Sequence, residues 1–175
     1  IRKILGGLRQ AHQTIFVSAT ISEEIHRLAK KYMKDPKRLD VSSSSGSLTV
    51  SQVRQEYLPV QPWDKQRLLH HLLKHEEAVM TLIFCKTKAT VDRLTAFLNR
   101  KSIEAAAIHG DLPQNKRNAV MQKLREGKLS VLIASDLASR GIDVDNITHV
   151  INYDVPEDPE IYVHRIGRTA RVGRG

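Results

Sequence analysis

The stretch that decides the fold is VMTLIFCKTKATVDRLTAFLNRKSIEAAAI, residues 79–108. Two short apolar runs, 79–84 and 105–108, flank a segment whose apolar residues recur at helical spacing. The stretch therefore predicts a strand, a helix over 89–101 and a second strand. Strands that are short and apolar throughout are typical of parallel sheets with helices on both faces.

The same alternation continues on both sides of this stretch. The apolar pattern predicts helices over 63–75 and 114–126, and strands over 53–60, 131–134 and 147–153. Strands that alternate with amphipathic helices form βαβ units. The pattern therefore predicts an α/β fold with a doubly wound parallel sheet flanked by helices.

The N-terminal part of the chain carries a separate strand and helix pattern. Residues 14–18 (TIFVS) predict a strand, and a helix is expected from Ser22, its N-cap, to a stop at Asp35-Pro36. The serine-rich run over 42–47 is typical of a flexible linker. We therefore expect three parts: residues 1–41, a linker over 42–49 and a main domain over 50–175.

Composition and charge narrow the function classes. With 41% hydrophobic and 27% charged residues, wholesale disorder is excluded, and no apolar run is long enough to span a membrane. The 28 Lys and Arg exceed the 19 Asp and Glu, which gives a net charge of +9. This surplus favours a polyanionic partner, nucleic acid before membrane, although a solvated basic surface explains the charge alone equally well.

Cys85 is the single cysteine, so the chain forms no intrachain disulfide. A lone cysteine fits a reducing compartment, and we expect a cytoplasmic location. Its place in the apolar run over 82–85 predicts a small core residue and not a reactive thiol.

Polar residues follow the predicted strands at four places. They are Thr87, the run His109-Gly110-Asp111, the pair Ser135-Asp136, and the stretch from Tyr153 to His164. Because the carboxyl ends of parallel strands lie at one edge of a sheet, these residues should converge there, where α/β proteins bind ligands. We expect a binding site at this edge.

The strongest chemical signal is HRIGRTAR, residues 164–171. Its arginines, Arg165, Arg168 and Arg171, recur every third residue, which places them along one face of a helical turn, and no Lys or acid interrupts them. We expect an external anion to gather these guanidinium groups, as a phosphoryl-transfer site does. Nonspecific binding to a nucleic-acid backbone is the alternative.

A second segment, residues 134–143, combines a strand end with a short turn that Gly141 closes and an acid, Asp143. The Ser135 hydroxyl and the backbone N–H groups at the start of this turn would hold an anion. Asp143 would accept a hydrogen bond from a ribose hydroxyl. A capped turn with a surface aspartate is an equally good interpretation of the segment.

Together these motifs resemble those of DEAD-box RNA helicases, in the same order and spacing and over essentially the whole chain. The motifs are Ser18-Ala19-Thr20, Leu82-Ile83-Phe84 followed by Thr87, His109-Gly110-Asp111 with Gln114 and Arg117, the stretch 135–143, and the stretch 164–171. The last of these, with its leading histidine, is the most specific.

The resemblance implies two RecA-like domains with ATP and Mg²⁺ bound in the cleft between them, and with RNA, single-stranded or a short duplex, bound there through its backbone. Residues 1–41 would be the tail of the first domain and 50–175 most of the second. It also implies four sets of roles: Arg168 and Arg171 as arginine fingers at the γ-phosphate; Asp143 and Gly141 at the nucleotide; Thr87, Gly110, Arg117 and Ser135 at the RNA backbone; and Ser18, Thr20, His164 and Arg165 in interdomain coupling. Ser135 replaces the commoner threonine but keeps the hydroxyl.

Two motifs of ATP binding are missing from the sequence. There is no G-x-x-x-x-G-K-[ST] loop and no Asp-Glu-Ala-Asp tetrad. We expect the first domain to supply both, so the chain alone should be inactive and represent a piece of a longer protein. The alternatives are an ATP-independent RNA-binding or regulatory module, and a DNA helicase of a neighbouring family.

Two weaker signals remain. His71 and His75 have the i, i+4 spacing of metal ligands, but no nearby Cys or acid completes a zinc set, so no metal is expected. The apolar strand and helix face within residues 1–41 would lack most of their own domain. We expect these residues to form a homodimer of the chain, with a disordered arm on a monomer as the alternative.

Overall fold

The computed structural model describes residues 7, 12–17, 23–39, 53–136 and 147–169. The chain divides into two units, residues 1–46 and 47–175. The predicted linker over 42–49 lies outside the described residues.

The first unit contains one described helix, α1 (Glu23–Tyr32). Glu23 and Glu24 lie in its first turn and Lys30 and Lys31 in its last, so charges of the favourable sign lie near each end of the helix dipole. The chain then turns at Asp35, whose φ is +44°, just before Pro36 as predicted. The expected N-cap, Ser22, lies outside the described residues.

The strand predicted over 14–18 does not form over residues 14–17. Ile15 and Val17 are 75% and 88% exposed there. Apolar β-branched residues favour a strand only when a neighbouring strand accepts their backbone hydrogen bonds, and no such neighbour exists among the described residues.

The second unit alternates helices and strands. In chain order they are α2 (Lys65–His75), β1 (Thr81–Cys85), α3 (Lys88–Arg100), β2 (Ala105–Ile108), α4 (Gln114–Arg125), β3 (Val131–Ser135), β4 (His149–Asn152) and α5 (Pro159–Ile166). The strands form one sheet in the order β2-β3-β1-β4, and every neighbouring pair is parallel. The predicted α/β fold with a RecA-like parallel sheet is confirmed.

Apolar side chains from the helices cover both faces of the sheet, as predicted from strands that are apolar throughout. Leu82 and Phe84 of β1 face a cluster that includes Leu124 of α4. Ile83 and Cys85 face the opposite cluster, which includes Leu69 of α2 and the α3 residues Val91, Leu94 and Leu98. Successive strand residues point to opposite faces, so each needs an apolar partner. This explains why β1 and β3 are buried at every position.

Cys85 is a core residue, as predicted. It is fully buried, and burial together with the nearby Asp154 carboxylate raises the pKa of its thiol to about 12. A thiol with so high a pKa is almost entirely protonated at neutral pH and is a poor nucleophile.

The strand predicted over 53–60 is wrong. These residues form no strand, and residues 54–60 are exposed. Gln55 is held by its side chain, whose Oε1 accepts a hydrogen bond of 2.7 Å from the Tyr162 hydroxyl. Pro59 has no backbone N–H to donate to a neighbouring strand, which weakens any strand pairing here.

Across the ranges described above, no helix is both long and apolar enough to cross a membrane.

Candidate functional site

The carboxyl ends of the four strands lie level with one another at one edge of the sheet, here called the carboxyl edge. Cys85 at the end of β1 is opposite Ser135 at the end of β3, and Phe84 is opposite Asn152 of β4. Ile108 of β2 is opposite Ala134. The segments that follow these strands therefore begin at the same edge, as the sequence predicted.

Thr87 lies at this edge as the N-cap of α3. Its Oγ1 accepts a hydrogen bond of 3.1 Å from the backbone N–H of Thr90, which satisfies one of the free donors at the helix start. Thr87 is exposed. The cap fixes the first turn of α3 at the end of β1, with its backbone N–H groups toward the edge.

The run His109-Gly110-Asp111 follows β2. His109 is buried, and its Nε2 lies 3.0 Å from Oδ1 of Asp92 on α3. This contact holds the run against α3, so His109 orients the loop. Its Nδ1 has no hydrogen-bond partner in the part of the chain that the structure describes.

Two other predicted residues lie on the segments that begin or end at this edge, α4 and β3. Arg117 is in the first turn of α4, where its backbone N–H bonds to the Pro113 carbonyl at 3.0 Å. Ser135 is the last residue of β3 and is buried. Thr87, Gly110, Arg117 and Ser135, the four residues that the resemblance assigns to the RNA backbone, therefore all lie on segments that end or begin at the carboxyl edge.

Arg165 on α5 is buried and makes an ion pair with Asp136, the residue after β3, whose side chain is 38% exposed. Its Nε lies 2.6 Å from Oδ1 and its Nη2 lies 2.8 Å from Oδ2, while only 3% of the residue is exposed. Its Nη1 also donates to Asn152 Oδ1 at 2.8 Å and to the Asp154 carbonyl at 2.6 Å. The guanidinium carbon lies 5.0 Å from the centroid of the Phe84 ring.

The expectation of one external anion for all three arginines is therefore wrong for Arg165. Its anion is a carboxylate of the same domain, and its guanidinium donors are used internally. The sequence did not reveal this pair because Asp136 lies 29 positions away. A polar residue directly after a buried strand was the available signal.

Asp154, after β4, is a second ionic centre that the sequence reasoning missed. Its carboxylate accepts hydrogen bonds from Lys65 Nζ at 2.8 Å and from the Lys86 backbone N–H at 2.9 Å. Partial burial opposes ionisation of Asp154, but these two donors together with Arg165 outweigh it and lower the pKa of the carboxyl. Asp154 thereby joins α2 to the ends of β1 and β4.

His164 and Arg168 lie on or just after α5. His164 is exposed in the last turn of the helix. The helix ends at Ile166, so Arg168 lies in the turn that follows and not on the helix with Arg165. Thr169 Oγ1 donates a hydrogen bond of 3.1 Å to the carbonyl of Thr148, the residue before β4, which holds the end of this turn against the start of that strand.

Several predicted residues lie outside the described residues: Ser18, Thr20, Gly141, Asp143 and Arg171. Within the described ranges, no group of three or more His, Cys, Asp or Glu side chains is placed to hold a metal ion. The rings of His71 and His75 pack against each other, with their centroids 4.3 Å apart.

Known families and proteins match this chain over most of its length. The family model described as "Helicase conserved C-terminal domain" matches residues 64–173. The DEAD-box ATP-dependent RNA helicase CshA of Bacillus subtilis is 43% identical over 174 residues, which cover 99% of this chain and 35% of that protein. The Bacillus cereus protein of the same name is 42% identical over 99% of this chain and 33% of its own length. The chain spans about a third of the length of these curated relatives.

Solved structures agree with the fold. A DEAD box protein from the hyperthermophile Methanococcus jannaschii matches with a TM-score of 0.65 and 39% identity, over 99% of this chain and 46% of that one. S. cerevisiae Dbp5 bound to RNA and ADP BeF3 matches with a TM-score of 0.78 and 33% identity, over 90% of this chain and 41% of that one. Because the family model matches more than half of the chain, this chain belongs to the helicase conserved C-terminal domain family, and its relatives are DEAD-box RNA helicases.

Proposed function

We propose that the chain is the C-terminal half of an ATP-dependent DEAD-box RNA helicase. In this account it contributes RNA-backbone contacts and arginine fingers to a cleft shared with an N-terminal RecA-like domain. The observation that carries the proposal is the carboxyl edge, where Thr87, Gly110, Arg117 and Ser135 come from four different segments. The single buried cysteine is consistent with a reducing, cytoplasmic location.

The RNA contacts are to phosphate and sugar. The net charge of +9 supports binding of a polyanion, and neither a groove-reading helix nor a row of aromatic side chains is needed for backbone contacts. Recognition of this kind carries little sequence preference.

The nucleotide contacts are assigned to Arg168 and Arg171 at the γ-phosphate, to Asp143 at the ribose and to Gly141. Guanidinium groups suit phosphate oxygens because they donate in a planar fork and keep their charge. Arg165 is not part of this set, since its donors are used by Asp136 and Asn152. ATP with Mg²⁺ would be bound mainly by the N-terminal domain, because the 175 residues contain no G-x-x-x-x-G-K-[ST] loop.

Interdomain coupling, which links the nucleotide state to closure of the two domains, is assigned to Ser18, Thr20, His164 and Arg165. The ion pair of Arg165 with Asp136, which joins α5 to the end of β3, supports the assignment of Arg165. A rigid α5 would carry His164 and the following turn as one body when the two domains close.

RNA binding by the 175-residue chain tests the backbone contacts. Its affinity for single-stranded RNA should fall steeply with salt and change little between sequences, because phosphates make the contacts. Arg117→Ala should flatten the slope of log affinity against log salt by about 0.7 to 1, the contribution of about one phosphate. A strong sequence preference that salt does not alter would contradict the proposal.

The second candidate function is an ATP-independent RNA-binding or regulatory module, favoured by the missing ATP-binding motifs. ATPase assays separate the two: the chain alone should be inactive, and the full-length protein should hydrolyse ATP when RNA is added. If the full-length protein binds RNA but shows no RNA-stimulated ATPase activity, the module is the better account. A DNA helicase would be stimulated equally by strands that lack 2′-hydroxyls.

A further inference from the structure

Lys88 lies between the residues proposed to contact RNA. It is the first residue of α3, directly after Thr87, and about half of its side chain is exposed. The side chain runs past Gly110, where its Cε is 3.8 Å from the position that a Cβ would occupy. Lys88 therefore extends from the end of β1 across to the end of β2.

The Lys88 ammonium ends on an acid. Its Nζ lies 2.6 Å from Oδ1 of Asp111, whose side chain is 69% exposed. The hydrogen bond from Lys88 lowers the pKa of Asp111, so the carboxylate is ionised at neutral pH. A negative charge on a surface that binds phosphates opposes binding, unless it serves another group there.

We propose that Lys88 is an additional RNA-phosphate contact and that Asp111 competes with RNA for it. In the free chain the carboxylate of Asp111 holds the ammonium across Gly110. When RNA binds, a backbone phosphate takes the place of the carboxylate. Asp111 thus sets how tightly, and at what salt concentration, this edge binds RNA. The inference rests on the proposed function, whose RNA surface it extends.

The chemistry of the pair suits such an exchange. A lysine ammonium is a compact charge on a flexible stem with three donors, so it can turn from one anion to another without a fixed geometry. Exposed ion pairs are weak because water screens them, so phosphate can displace the carboxylate at little cost. Arg165, whose guanidinium group is buried, would not exchange Asp136 for another anion in this way.

The test uses the 175-residue chain and a short end-labelled oligouridine, with binding followed by fluorescence anisotropy over a range of KCl concentrations. Lys88→Ala should flatten the slope of log affinity against log salt by about 0.7, the contribution of one phosphate on a single strand. Lys88→Gln, which keeps most of the stem, should give the same result. The side chains of Lys88 and Asp111 are 49% and 69% exposed, so we expect substitutions at either residue to leave the fold intact.

Asp111→Asn should tighten binding by about twofold to fivefold, the scale of an exposed ion pair. In the Lys88→Ala background the same substitution should have a smaller effect, because only general repulsion of RNA is then removed. This difference distinguishes competition for Lys88 from a simple change in net charge.

The matched control is the ion pair of Lys128 with Glu126, 2.8 Å apart, which precedes β3 at the opposite edge of the sheet. Lys128→Ala and Glu126→Gln should leave the salt slope unchanged. If Arg117→Ala flattens the slope and Lys88→Ala does not, the inference is wrong and the proposed function stands. If neither variant alters binding, the proposed RNA surface is wrong and the inference falls with it.

Discussion

Arg165 and Asp136 form a two-pronged ion pair, with Nε 2.6 Å from Oδ1 and Nη2 2.8 Å from Oδ2. The pair joins α5 to the residue that follows β3, and the arginine is almost completely buried. Such an ion pair contributes less to net stability than to fixing one geometry, because the buried guanidinium group loses its water on folding. Here the fixed geometry is the position of α5 at the carboxyl edge.

Removing one partner of this pair should destabilise the fold strongly. Asp136→Ala leaves the Arg165 guanidinium buried without its carboxylate, so we expect the free energy of unfolding to fall by about 3 kcal/mol. Urea denaturation of the 175-residue chain, followed by circular dichroism, measures the loss. The control is Lys128→Ala, which breaks an exposed pair and should lower the free energy of unfolding far less, because water screens that pair. Equal losses in the two variants would show that the ion pair of Arg165 with Asp136 is not structurally important.

Asp154 predicts a pH dependence of stability. The pKa of its carboxyl group is lower in the folded chain than in the unfolded chain, where it is about 3.9. The ionised carboxylate therefore contributes fully to the free energy of unfolding above the unfolded pKa, and this contribution is lost as the pH falls through the lower, folded pKa. The difference in unfolding free energy between the wild type and Asp154→Asn should therefore shrink as the pH falls from about 7 to about 3.

The matched control for Asp154 is Glu157→Gln. Glu157 also has a lowered pKa through its bond to Lys86, but its side chain is 87% exposed and screened by water. The difference between the wild type and this control should stay small at every pH. A difference for Asp154→Asn that does not vary with pH would mean that its charge contributes nothing to folding.

The pattern of short apolar strands and amphipathic helices was sufficient to predict the main sheet from sequence. Every residue of β1 and β3 is apolar or small, and both faces of the sheet must then be covered by helices. The same local pattern failed over 14–17 and 53–60, because a strand also needs a neighbour that sequence periodicity does not identify.

The site was predictable only in part. The strand ends that carry Thr87, Gly110 and Ser135 converge because parallel strands share their direction. The ion pair of Arg165 was not predictable, because its partner Asp136 lies in another connection between a strand and a helix and the two residues meet only after folding. Asp154 and Lys65 were missed for the same reason, because they are 89 positions apart.

We predict that the chain forms a homodimer through residues 1–41. Ile15 and Val17 are largely exposed, and burying large apolar side chains of this kind is worth about 1.5–3 kcal/mol each. Exchange of this segment between two copies would bury them. Light scattering at several concentrations should show a dimer for the full chain and a monomer for a chain that begins at Leu48. Monomers in both cases would mean that the segment is an unpaired arm.

Arg168 provides the most direct test of the central claim, that this domain completes the ATPase site of a DEAD-box helicase. In the full-length protein, Arg168→Ala should lower RNA-stimulated ATP turnover by about 10³-fold or more, as expected for an arginine finger. ATP affinity should fall much less, because the N-terminal domain would hold most of the nucleotide. Arg67→Ala, an exposed arginine on α2, is the control and should leave turnover unchanged. Near-normal turnover in Arg168→Ala would contradict the account.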